Sequence, residues 1–290
     1  MLTIFTPTYN RGYIIERLYN SLLHQTNYNF EWLIVDDGST DDTKSLIEQW
    51  INEKKINIRY YYQENQGKPI AHNLGVENAK GDIFVCVDSD DYLTEDAVDI
   101  IITEYEKIKN LQQCTGIVGV CVTKEGKPVG NNMPTIIQYS TLYDLYNKYK
   151  YKGDTILVYK LQIIRKYRFP KINGEKFIPE TYLYDKIDSD GKLKIINDGI
   201  YVCEYLEDGY TNNSAKLIKN NPKGYIMCAK QRMEIAKTFY TRLKACAQYV
   251  LGNWLNGSNN FIKDSPKKFT TILSIPFAMY MYIKKYSKNN

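Results

Sequence analysis

The chain runs to 290 residues, 43% hydrophobic and 24% charged, with a net charge of +5 and no low-complexity tract. That composition excludes a disordered or fibrous protein, and the length suffices for one large domain or a domain with an appendage. Six cysteines without C-x-x-C spacing and only two histidines, His24 and His72, speak against a zinc site or a disulfide framework.

Leu2–Thr6 reads as a strand from the outset, which leaves no room for a leader and points to a reducing cytoplasm. A helical stretch follows near Gly12–His24, with Ile14, Ile15, Leu18 and Leu22 on one face. Phe30–Val35 is the next strand, and Asp41–Glu53 a helix with Leu46, Ile47 and Trp50 at helical spacing. Asn57–Tyr62 predicts a third strand, Pro69–Ala79 a helix ending at Gly81, Ile83–Val87 a fourth strand and Glu95–Lys109 a helix. Repeated β-α units predict a mostly parallel sheet with helices on both faces. Further along, Gly116–Val122, Ile156–Tyr159 and Gly199–Leu206 read as strands, and Phe177–Ile187 and Pro222–Tyr240 as helices.

The charge is divided along the chain. Residues 1–100 carry 8 Lys/Arg against 17 Asp/Glu, and residues 211–290 carry 14 against 2. Such a split predicts an N-terminal part that handles cations and a C-terminal part that meets something anionic. Thr271–Ile283 is apolar but short of the roughly 20 residues that span a bilayer, and lysines flank it at 267, 268, 284 and 285. It suits either a segment at an anionic membrane surface or a terminal helix docked on the core.

In open α/β sheets ligands bind beyond the C-terminal ends of the strands. Strand one ends in Thr6-Pro-Thr-Tyr-Asn10, strand two in Asp36-Asp-Gly-Ser-Thr-Asp41 and strand four in Asp88-Ser-Asp-Asp91. Asp88 and Asp90, two apart, share one face of an extended chain and can share a hard cation. With so few histidines the oxygen set favours Mg²⁺ or Mn²⁺, which usually takes substrate phosphates as its remaining ligands. Asp188-Ser-Asp190 repeats the spacing but reads as a surface turn.

The ordered set Thr6-Pro-Thr-Tyr-Asn10-Arg11, Val35-Asp-Asp-Gly-Ser-Thr-Asp41, Asn65-Gln-Gly67, Ala71-His-Asn73 with Gly75 and Gly81, and Val87-Asp-Ser-Asp-Asp91 resembles the family 2 inverting glycosyltransferases of GT-A fold. The detailed match covers about residues 1–110. The resemblance implies transfer of a sugar from a nucleotide-sugar donor, commonly a UDP-sugar, of the kind used in bacterial surface polysaccharide or glycan synthesis. It implies that Thr6, Pro7, Thr8 and Tyr9 pack around the nucleoside and that Asp36 or Asp37 meets the uracil N–H. Asp88, with Ser89 beside it, contacts the ribose or metal region, and Asp90 ligates Mn²⁺ or Mg²⁺. Where the family often has arginine this chain has His72, so Lys68 shares the diphosphate load with it.

Inversion needs a base for the acceptor hydroxyl. Phe177-Ile-Pro-Glu-Thr-Tyr-Leu-Tyr-Asp185 resembles the segment that carries an acidic pair in the family, here reduced to Glu180-Thr181. Glu180 is the expected base, with Asp185 and Glu175 as rivals, and capping of the following helix is its structural duty. The expected organisation is a GT-A domain over 1–220, split into a donor half (1–110) and an acceptor half (111–220), with a basic helical extension over 221–290. The expected acceptor is a glycan or lipid-linked saccharide at the inner face of the plasma membrane. A catalytically silent scaffold of the same fold is the alternative. A nucleotidyltransferase would need a glycine-rich basic loop after strand one, which Thr6–Asn10 lacks, and no nucleic-acid motif is present.

Overall fold

The computed structural model describes residues 1–204, 209 and 212–286. Its first elements are β1 (Leu2–Thr8), α1 (Glu16–Leu23), β2 (Phe30–Asp36), α2 (Thr43–Glu53), β3 (Ile58–Tyr62), α3 (Lys68–Asn78), β4 (Ile83–Cys86), β5 (Tyr92–Leu93) and α4 (Ala97–Ile108). There follow β6 (Cys114–Val122), β7 (Tyr139–Ser140), α5 (Leu142–Asn147), β8 (Thr155–Lys160), α6 (Leu161–Ile164), α7 (Thr181–Ile187) and β9 (Lys192–Val202). The chain closes with α8 (Ser214–Asn220), α9 (Pro222–Ile235), α10 (Phe239–Leu255) and α11 (Lys268–Tyr286).

The strands lie in the order β3-β2-β1-β4-β8-β6-β9-β5, with β7 paired to β9. β1 runs parallel to β2 and β4, and β2 parallel to β3, as helix-connected strands must. β8 returns beside β6 after the excursion over 123–154 and runs antiparallel to both β6 and β4. β1, β2 and β6 are buried at every position, which is why they are written as near-continuous apolar runs. On one face Tyr19 stacks on Trp50 at 4.3 Å between ring centroids, and Trp32 lies 6.1 Å from Tyr19. Glu31, near the start of β2, is fully buried and satisfied: it accepts from Thr3 Oγ1 (2.7 Å), Lys80 N (2.6 Å) and Arg59 Nη1 (2.9 Å).

The chain divides into two compact units, residues 1–168 with 186–204, and residues 169–185 with 205–290. The sheet belongs to the first. In the second, Ala229, Met233, Cys246, Tyr249, Val250 and Ala278 form the core between α9, α10 and α11. The sequence predicts one helix over Pro222–Tyr240, but the chain breaks at Ala236, whose ψ is 117°. Thr238 then starts α10 with a capping box, its hydroxyl accepting from Thr241 N while Thr241 Oγ1 accepts from Thr238 N. The strand expected over Gly199–Leu206 starts earlier, at Lys192, because its Leu193–Ile195 segment is paired along β6. Tyr205 and Leu206 lie outside the described residues. Among the described residues no helix is long and apolar enough to cross a membrane.

Candidate active site

The parallel strands β3, β2, β1 and β4 end on one edge, and each delivers polar groups there. Thr8 at the end of β1 is in register with Asp36 at the end of β2. The β1 loop turns on Asn10, which takes φ 50°, a left-handed conformation that asparagine tolerates. Its amide donates to Ser39 Oγ (2.8 Å), and its side-chain oxygen accepts from Thr40 N (2.8 Å). Asp41 completes the junction, accepting from Gly12 N (3.0 Å), Thr43 N (3.1 Å) and Thr43 Oγ1 (2.6 Å). Burial works to raise the Asp41 pKa, yet these hydrogen bonds prevail and lower it.

Within β1 the expected nucleoside residues have different surroundings. Thr6 is fully buried, its hydroxyl accepting the indole N–H of Trp32 at 2.9 Å. Pro7 is buried and Tyr9 is 48% exposed at the mouth. Thr8 is 3% exposed and its Oγ1 has no hydrogen-bond partner among the described residues. A buried hydroxyl left unpaired at a strand end is an opening for a ligand's polar atom.

Asp36 and Asp37 both carry structural bonds. Asp36, fully buried, accepts from Ser39 N (2.7 Å) and Tyr60 Oη (2.8 Å). Asp37 accepts from Gln63 Nε2 (2.6 Å), Gln66 N (2.8 Å) and Gly67 N (2.7 Å). Gly67 aims its N–H there at φ +92°, a conformation that side chains resist. Asp37 thereby holds the segment that opens α3, and Lys68 is the first residue of that helix.

Lys68 reaches the acidic loop after β4. Its Nζ lies 2.6 Å from Asp88 Oδ1 and 2.9 Å from Oδ2. One carboxylate oxygen from each of Asp88, Asp90 and Asp91 lies within 4.8 Å of the others. Burial, then the charge of Asp88, raises the Asp90 carboxyl above its usual range while Arg11 pulls the other way. The same two causes push Asp91 up to about 7, against the pull of hydrogen bonds from Glu204 N and Tyr201. Three converging acids, with the carboxyls of Asp90 and Asp91 raised, are a donor set for a hard divalent cation, so the residues fit Mg²⁺ or Mn²⁺. Ser89, between them, is 5% exposed.

Tyr201 at the end of β9 fixes this loop from a distance of over a hundred residues. Its hydroxyl accepts from Asp88 N (3.1 Å) and donates to Asp91 Oδ2 (2.8 Å), and Glu204 N donates to Asp91 Oδ1 (3.0 Å). Sequence reasoning saw the three carboxylates together but gave the ion to Asp90 and no ligand role to Asp91, and it missed Tyr201 as their tether. Adjacency to Asp90 was a signal for the first; nothing in the sequence marked the second.

His72 sits deeper than a rim residue would. It is 4% exposed, edge-on to Phe5 and Phe84 at centroid distances of 5.7 and 5.6 Å. Burial, reinforced by the positive charges of Lys68 and Arg168, holds its pKa near 3, so the ring is neutral.

The three base candidates lie in the second unit. Asp185 is buried and paired with Arg232, Oδ2 to Nε at 2.7 Å, with burial raising its pKa against that pairing. Glu175 accepts the amides of Lys223 (2.9 Å) and Gly224 (2.8 Å) and so caps α9. Glu180 is half-buried just before α7, its carbonyl accepting from Leu183 N and Tyr184 N. The second acidic pair, Asp188 and Asp190, is structural: Asp188 takes the first two amides of α5, and Asp190 pairs with Lys166 at 2.8 Å.

The profile described as Glycosyl transferase family 2 matches residues 3–172. A relative in Rickettsia felis, described as an uncharacterized glycosyltransferase, is 43% identical over 100 residues, 34% of this chain and 16% of the relative. The chain thus spans about a sixth of that relative's length. Glycosyltransferase GlyG of Streptococcus pneumoniae is 24% identical over 216 residues, 70% of each chain. Among solved structures, S. aureus TarS 1–349 in complex with UDP-GlcNAc superposes with a TM-score of 0.64 at 18% identity, covering 96% of this chain and 80% of that one. That likeness establishes the fold as GT-A-like, a mixed sheet flanked by helices.

Proposed function

Since the chain belongs to glycosyl transferase family 2, we propose that it transfers a sugar from a nucleotide-sugar donor, a UDP-sugar, to a glycan or lipid-linked saccharide with inversion at the anomeric carbon. The carrying observation is the acidic trio Asp88, Asp90 and Asp91 at the end of β4, flanked by Lys68. TarS, which shares the fold, is described with UDP-GlcNAc bound, and that supports a uridine donor.

Each residue's part follows from its surroundings. Thr8 offers its unpaired hydroxyl to the nucleoside, and Tyr9 lies at the mouth to pack on it. Of the acid pair, Asp37 is the one to accept the uracil N–H. Asp36 has no exposed surface, whereas three bonds to Asp37 leave one of about four carboxylate acceptor positions open. Thr6, Pro7 and His72 shape the wall behind these groups. Asp88 and Ser89 face the ribose and metal region, and Asp90 with Asp91 would hold Mn²⁺ or Mg²⁺. When bound, such an ion neutralises the charge that gathers on the departing diphosphate.

Lys68 shifts from Asp88 to a phosphate oxygen as the donor enters. Glu180 takes the proton of the acceptor hydroxyl as that oxygen bonds to the anomeric carbon and the nucleoside diphosphate leaves. The loss of the second acid at Thr181 favours one further reading, a catalytically silent scaffold. A panel of nucleotide sugars with and without Mn²⁺, read by thermal stabilisation and donor turnover, tests the proposal. UDP-sugars should stabilise the chain only with the ion, and no stabilisation by any donor would overturn it. Glu180→Gln should keep donor binding and lose transfer by at least about a hundredfold. Wild-type turnover in that variant would move the base elsewhere, and binding without turnover in the parent chain would favour the scaffold.

A further inference from the structure

Helix α11 turns most of its bulky apolar side chains away from the core. A helix on a water-soluble core normally presents its bulky apolar side chains inward. Here Thr271, Ser274 and Ala278 face the core with no exposed surface, joined there by the partly buried Ile275 and Met281. Ser274 Oγ donates back to the Thr271 carbonyl and Thr271 Oγ1 bonds Ser265 Oγ, so the small polar groups are satisfied within the packing. The outward stripe is Phe269, Ile272, Leu273, Phe277, Tyr280 and Ile283, each 43–73% exposed. Spacings of i, i+3, i+4, i+8, i+11 and i+14 place all six on one face. Small residues against the neighbouring helix and large ones outward is the arrangement of a helix whose outer surroundings are not water.

We propose that this face of α11 docks on an anionic lipid surface, lying in the interface with its axis along the membrane plane. Nineteen residues make a rod of about 28 Å, and among the described residues no helix is long and apolar enough to cross a bilayer. Charge selects the occupant. Lys267 and Lys268 stand at one end, Lys284 and Lys285 at the other, and the helix between contains no acidic residue. A second copy packed on the same face, in either direction, would set lysines against lysines with no acid between them. Anionic headgroups complement both ends at once. Tyr280, with Lys284 Nζ 6.0 Å from its ring centre, is an amphipathic side chain suited to the headgroup level. This surface does not rest on the donor reading, which donor-dependent thermal stabilisation reports separately.

The test is flotation of the full chain with vesicles of phosphatidylcholine alone or mixed with phosphatidylglycerol, alongside sedimentation equilibrium without lipid. The chain should float with the anionic vesicles only, and less as salt rises. Phe277→Ser should weaken the partition at least about tenfold, and Lys284→Gln with Lys285→Gln about tenfold. Both variants alter exposed side chains, so their unfolding temperatures should match the parent's. Failure to float with anionic vesicles, or equal flotation with neutral ones, overturns the proposal. So does a lipid-insensitive dimer that Phe277→Ser dissociates, which would make the face an interface between copies.

Discussion

Lys68 is the residue on which the proposed site can be tested with opposite signs in one variant. In the structure its ammonium occupies Asp88, a place that a divalent ion would contest. Lys68→Met removes that competitor. Asp88 is 38% exposed, so solvent screens the pair and its worth is at most about 1 kcal/mol. Bare Mn²⁺ should therefore bind up to about fivefold more tightly in the variant. Nucleotide should do the reverse. A charge-assisted bond from Lys68 to a phosphate is worth about 1.5–3 kcal/mol, so UDP in saturating Mn²⁺ should bind about 10- to 150-fold more weakly. Titration calorimetry of Mn²⁺ alone and of UDP with Mn²⁺ gives both numbers. Changes of the same sign, or both within twofold, would refute the exchange of Lys68 between Asp88 and a phosphate.

Asp90→Ala should abolish the metal-dependent part of UDP affinity, so that titrations with and without chelator coincide; a remaining gap between them would place the ion elsewhere. Tyr201→Phe removes a hydroxyl that bonds both Asp88 N and Asp91, and should weaken Mn²⁺ binding about tenfold in calorimetry while the chain stays folded. Unchanged affinity would mean that the acidic loop holds its own shape. His72 is held neutral with a folded pKa near 3, so below the ordinary value of 6.5 only the unfolded chain takes up its proton. Stability from this residue is complete above about pH 6.5 and falls as pH drops toward 3, by about 2 kcal/mol between pH 7 and 5. Urea unfolding of His72→Leu beside the parent at those two pH values should show the gap between them shift by that amount, and a constant gap would contradict it.

What the sequence disclosed depended on whether a signal was local. The run from Ile83 into Asp88–Asp91 was legible because an apolar strand ending in three carboxylates has few other uses, and the β-α order of the first 110 residues was legible from periodicity. The structural duties of Asp36, Asp37 and Asp41 were not, because the same acceptor oxygens serve a ligand N–H and a loop amide equally well. Tyr201 was invisible because its partners lie over a hundred residues away, across a sheet whose β6–β9 pairing no local pattern announces. The apolar, lysine-flanked run of α11 was visible, but the packing of Thr271, Ser274 and Ala278 was needed to show which of its residues point outward.

The Tyr201 tether sets an order of events during folding. The Tyr201–Asp88 contact spans 113 residues, more than the β1–β2 pairing of Leu2 with Phe30 or the β1–β4 pairing of Leu2 with Ile83, so it closes against the larger loop entropy. Ion-binding competence should therefore emerge late, after the nucleoside-facing strands are already assembled. A refolding chain would pass through a stage with a formed half-sheet and a slack acidic hook, and the divalent ion would reward the closing step alone.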